Sequence, residues 1–86
     1  MARITHPQLE AFLAFGNASI AICEVKELAR RREVGEQARD LLVEISAGHV
    51  RLRELFANGL DDAVAVLSRD VMDLVSFLTD VLNQEK

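Results

Sequence analysis

The apolar residues of this chain fall into three runs with helical spacing, parted near Gly35 and at Asn58-Gly59. The first run holds the most unusual stretch, Leu9 to Cys23, fifteen residues with a single charge at Glu10. Wound at about 100° per residue, it divides into two apolar stripes on opposite sides. One is bulky: Leu9, Leu13, Gly16, Ile20 and Cys23, with Phe12 beside it. The other is small: Ala11, Ala14, Ala18, Ala21, Val25 and Leu28, flanked by Phe15 and Ile22. Narrow polar walls separate them, Glu10, Asn17 and Glu24 on one side and Gln8, Ser19 and Lys26 on the other. A helix that is apolar nearly all round is expected to be covered on more than one side. The two stripes therefore predict two partners, one being the chain's own helices and the other a second copy of the chain. Repeated alanines allow close helix approach. They make Ala11, Ala14, Ala18, Ala21, Val25, Phe15 and Ile22, joined by Val43 and Val50 of the second run, the expected dimer or partner face.

The second run carries Ala38, Leu41, Leu42, Ile45, His49, Leu52, Leu55 and Phe56 three to four residues apart, with a lesser stripe of Val43, Ala47 and Val50 opposite. In the third, Leu60, Val64, Leu67, Val71, Leu74, Leu78 and Val81 step by four and three, widened by Val75 and Leu82. That is a coiled-coil type of seam, but at under four heptads it predicts packing within a bundle rather than a free-standing coil. End signals agree with three helices. Thr5 with Gln8 fits a capping box, and Pro7 suits a first turn. Basic residues before Gly35 suit a helix C-terminus, Glu36 opens the next helix, and Asn58-Gly59 suits a left-handed terminator. Asp61 and Asp62 favour, and are placed to cap, the start of the third. The expected fold is all-α: one helical domain over 1–86, with three long helices at about 6–33, 36–57 and 61–83. They form an up-down-up antiparallel bundle or extended helical hairpin that associates as a homodimer.

Half the residues are hydrophobic and 28% are charged, which is globular composition. Charge is unevenly placed, since residues 1–60 hold eight basic and eight acidic residues while 61–86 hold six acidic and two basic. The whole net charge of −4 thus belongs to the third helix and its tail. Asp62, Asp73 and Asp80, with Arg69 among them, share an outward ridge there, a solvated face in the first reading and a docking surface for a basic partner in the second. Arg30, Arg31 and Arg32 are the counterweight, a possible phosphate contact. Successive arginines point in different directions about a helix, however, and no tyrosine or tryptophan is present to stack a base. A nucleic-acid-associated regulator is therefore the alternative reading, not the first.

Nothing in the residue pattern points to catalysis, a cofactor or a metal. His6 and His49 lie 43 positions apart, Asp70 and Asp73 have no further ligand in the pattern, and the four glycines make no phosphate-cradling motif. The single cysteine, Cys23, is expected to be a packed core thiol, and His49 a packed or hydrogen-bonded core-edge histidine. The tetrapeptide ending at Cys23 resembles a bacterial lipoprotein cleavage box in outline, but Ile22 stands where a small residue is required and Arg3 is the only firm positive charge ahead of it. The apolar run is also too short and too interrupted for a membrane span. The sequence thus predicts a cytoplasmic, non-catalytic protein–protein interaction module: a small regulator, inhibitor, adaptor or chaperone without cofactor.

Overall fold

The computed structural model describes residues 6–84, and all the ordered elements among them are helices. Helix α1 spans His6–Arg30, α2 spans Glu36–Ala57 and α3 spans Asp61–Gln84. The proposed cap at Thr5 lies outside the described residues. Pro7 sits in the first turn of α1, where a missing N–H leaves no intrahelical bond unmade. One turn on, His6 and Glu10 approach to 2.9 Å on the exposed surface.

The first connection differs from its expected form. Helix α1 stops at Arg30, short of residue 33, and Gly35 is not its terminator but the residue preceding α2, in extended conformation (φ −78°, ψ 178°). The early stop has a packing cause, because the chain must turn there to lay half-buried Val34 against the core. The Arg32 N–H closes a tight turn onto the Ala29 carbonyl at 3.2 Å, and its guanidinium donates to the Leu82 carbonyl at the far end of α3. The second connection follows expectation. Gly59 has φ +71°, its N–H reaches the Phe56 carbonyl, and the Leu60 N–H reaches the Leu55 carbonyl at 3.0 Å. These two bonds make a Schellman terminator, whose left-handed residue glycine supplies without a Cβ clash. Helix α3 begins directly afterwards, with Val64 N–H bonded to the Leu60 carbonyl. Asp61 and Asp62 thus lie within its first turn rather than at the cap, where their charge complements the helix dipole.

With connections this short, neighbouring helices run antiparallel. Ser19 bonds His49 and Phe15 stacks on Phe56 at 4.7 Å, so the first half of α1 lies beside the second half of α2. Gly48 lies against Val71, and Arg32 meets Leu82, which places the ends of α1 and α3 together. The topology is up-down-up, with α1 and α3 sharing the most extensive contact and α1 and α2 the least.

The core is a seam of small and branched residues: Ala11, Ala18, Ile22, Val25 and Ala29 from α1, Ala38, Ile45 and Leu52 from α2, and Val64, Val71, Val75, Leu78, Val81 and Leu82 from α3. Each set recurs at intervals of three, four or seven residues, so each helix offers one stripe to the common axis. Ser68 interrupts the α3 seam: it is buried at 3% exposure, and its hydroxyl makes no hydrogen bond. Narrow helices packed through small residues give a slender molecule. The body measures 52 × 16 × 16 Å with a radius of gyration of 14.3 Å, against about 12 Å for a compact chain of this length.

Candidate interaction surface

Helix α1 presents to solvent the face expected to be covered. Leu9, Phe12, Leu13 and Ile20 are 45%, 61%, 52% and 60% exposed, and Cys23 is exposed with them. Five of the bulky-stripe residues, Leu9, Phe12, Leu13, Ile20 and Cys23, therefore form an outward apolar strip, with Gly16 half-buried at its middle. From Leu9 to Cys23 the strip runs about 21 Å along the helix, at 1.5 Å per residue. At its far end Glu27 pairs with Arg30 and Arg31, at 3.4 and 3.3 Å, which closes the strip with charge.

The small stripe is consumed inside the bundle, which corrects its expected role as the dimer or partner face. Ala11, Ala18, Ile22 and Val25 are buried, while Ala14, Phe15 and Ala21 are half-buried at the seams with α2 and α3. Close helix approach at the alanines does occur, but between helices of one chain. Val43 and Val50, the two residues added from α2, do stand exposed on its outer side. Cys23 is likewise not a core thiol, because it belongs to the outward strip.

A sequence signal could have separated the two stripes. The small stripe continues through Ala29 to the end of α1, matching the length over which three helices pack, whereas the bulky stripe gives way to Glu27 and Arg30 after Cys23. A core stripe must persist as long as its helix is packed. An interaction strip need not.

Where α1 meets α2, polar and aromatic groups replace aliphatic packing. The Ser19 hydroxyl and His49 Nε2 lie 3.2 Å apart, and the His49 ring lies 6.4 Å from that of Phe15. Burial in this seam, with Arg53 and Lys26 nearby, holds the His49 pKa below its usual 6.5, so the ring is neutral at neutral pH. His49 is thus a packed, hydrogen-bonded core-edge residue, as its place in the stripe predicts. Phe12 leans one edge toward Phe56, at 6.4 Å between centroids, and leaves the rest of its ring outside.

The acidic ridge of α3 also faces outward. Asp62, Asp73 and Asp80 are all exposed, and the helix sets exposed Val66 and Phe77 among them. Phe77 borders a shallow apolar dent with Leu41, Leu74, Asp70 and Asp73 at the junction of α2 and α3. Exposed Arg69 stands on the same ridge, between Val66 and Asp73. The three arginines are engaged elsewhere, Arg30 and Arg31 by Glu27 and Arg32 by the Leu82 carbonyl. Among the described residues there is no group of three histidine, cysteine or acidic side chains placed to hold a metal ion, and no helix long and apolar enough to cross a membrane. Comparison with protein-family models, curated proteins and solved structures finds no match.

Proposed function

We propose that this chain is a non-catalytic protein–protein interaction module, a small regulator, inhibitor, adaptor or chaperone, that acts through the outward apolar face of α1. One observation carries the reading. Four large apolar side chains, each about half exposed or more, stand together on one face of one helix. Assigning about 200 Å² to a full side chain, they leave roughly 450 Å² of contiguous apolar surface in water, the size of the largest and commonly functional patch on a monomer. Exposed leucines scattered singly would need no explanation. A strip confined to one face, with charge at its end, does. Self-association into a homodimer is one form of this activity.

The test is capture from native lysate by the tagged wild-type chain beside a Phe12→Glu/Ile20→Glu variant. Both positions point away from the core, so the variant is expected to stay folded, and proteins held by the wild type are expected to be missing from it. Identical capture by the two chains would contradict the reading.

A second surface has its own support. The acidic and apolar residues of α3 favour a basic amphipathic partner, and charge concentrated there sets the net −4 of the chain. Arg30 to Arg32 offer the nucleic-acid alternative less, because each already has a partner within the chain. A salt-dependent mobility shift on any duplex or single strand would favour that alternative instead.

A further inference from the structure

We propose that the occupant of the α1 strip is a second copy of this chain, related by a two-fold axis, with the two α1 helices crossing antiparallel at Gly16. This rests on the reading of the strip as a protein-binding face and names its partner.

Glycine inside a helix costs roughly 0.5–1 kcal/mol relative to alanine, so its presence calls for a physical reason. Two other glycines have one within the chain. A Cβ on Gly48 would stand 2.8 Å from the Val71 side chain, and Gly59 holds a positive φ. Gly16 lies in the middle of α1, and a Cβ built there meets nothing within 4 Å. Nothing in its own chain requires the missing side chain, whereas a helix crossing from outside would, since two backbones approach most closely where neither has a Cβ.

The surroundings of Gly16 have the symmetry such a crossing needs. A two-fold interface brings one surface patch against itself, so the patch must be self-complementary. Phe12 and Ile20 stand four residues before and after Gly16, and Leu9 and Cys23 stand seven before and after. In an antiparallel pair centred on Gly16, Phe12 of each copy comes level with Ile20 of the other, and Leu9 with Cys23. Glu10 and Glu24 lie about 80 to 120° around the helix from Gly16, on the solvated rim.

Area agrees. Two strips of roughly 450 Å² contribute about 900 Å² of apolar surface, and at about 60% apolar composition the whole interface comes to roughly 1,500 Å², within the standard range for stable complexes.

The experiment uses the full chain. Sedimentation from one to several hundred micromolar is expected to show a dimer for the wild type. For Gly16→Leu the dissociation constant should rise at least tenfold, with helical content retained because the new side chain enters open space. Mild oxidation then reads the axis. Leu9→Cys, which the antiparallel pair brings level with Cys23 of the other copy, is expected to form an intermolecular disulfide much faster than Val43→Cys. Wild-type Cys23 should not cross-link, its two sulfurs lying about 20 Å apart in the pair. A wild-type monomer throughout, or equal rates at positions 9 and 43, would overturn the proposal, and fast cross-linking through Cys23 of the wild-type chain would overturn the antiparallel crossing. If the chain is a monomer yet Ile20→Glu abolishes capture of a different protein, the self-association fails while the functional reading of the strip stands.

Discussion

At the scale of single residues, two glycines in helix interiors separate what the chain needs from what it leaves open. Gly48→Ala would press a methyl group to 2.8 Å from buried Val71, whose branched side chain has little rotamer freedom to yield. It is expected to lower stability by about 1 kcal/mol or more, the clash exceeding the gain in helix propensity. Gly16→Ala meets open space and should instead raise the stability of the dilute monomer by about 0.5–1 kcal/mol. Urea denaturation at submicromolar concentration compares them, and equal effects would remove the distinction. His49 adds a pH dependence. Its folded pKa is lowered, so on acidification the unfolded chain takes up the proton first. The His49 contribution to stability is therefore full above the unfolded value of 6.5, declines as pH falls below it, and levels off once the folded ring is also protonated. Histidine-to-glutamine substitution at this position should remove part of the stability loss as pH falls below the unfolded value of 6.5, and parallel pH profiles for the two chains would contradict the assignment.

At the scale of elements, α1 shows both how far periodicity reaches and where it stops. Helix number, the starts of α2 and α3 and, apart from exposed Leu60, the seams of both were legible, because each follows from a three-to-four residue step and from end signals such as Asn58-Gly59. Periodicity also separated the two stripes of α1. Hydrophobicity alone ranks them wrongly, because it favours burying leucine and phenylalanine while the geometry of three closely packed helices favours alanine. Packing won: Ala11, Ala18 and Ala29 occupy the narrow interior, where Phe12 or Leu13 would force the helices apart. Ala18→Leu is accordingly expected to cost ~1–3 kcal/mol by overpacking, whereas Ile20→Glu, two residues on, should leave the stability of the dilute chain nearly unchanged. Thermal denaturation of the two variants decides it, and a larger loss at residue 20 than at residue 18 would invert the assigned faces. The end of α1 was less legible for a similar reason, because the turn near Arg32 is set by contacts with Val34 and the end of α3 that no local pattern carries.

At the scale of the whole molecule, a 16 Å wide rod has little interior, and its surface takes on two characters. One side is the uncharged strip of α1, suited to meeting its own copy. The other is the acidic ridge of α3, with Val66 and Phe77 set among Asp62, Asp73 and Asp80. If that ridge docks a basic partner, Asp73→Lys/Asp80→Lys should weaken its capture at least tenfold without altering self-association. Unchanged capture would leave the ridge a solvated face. On the proposed reading the division would give separate tasks to separate helices, α1 pairing the molecules and α3 meeting a different protein. Its foundation is the pairing, and the mass of the wild-type chain in solution tests that most directly. Sedimentation equilibrium at about 100 μM should give twice the 9.6 kDa chain mass, reverting to the single mass in the Ile20→Glu variant. A wild-type mass of 9.6 kDa at that concentration would contradict it.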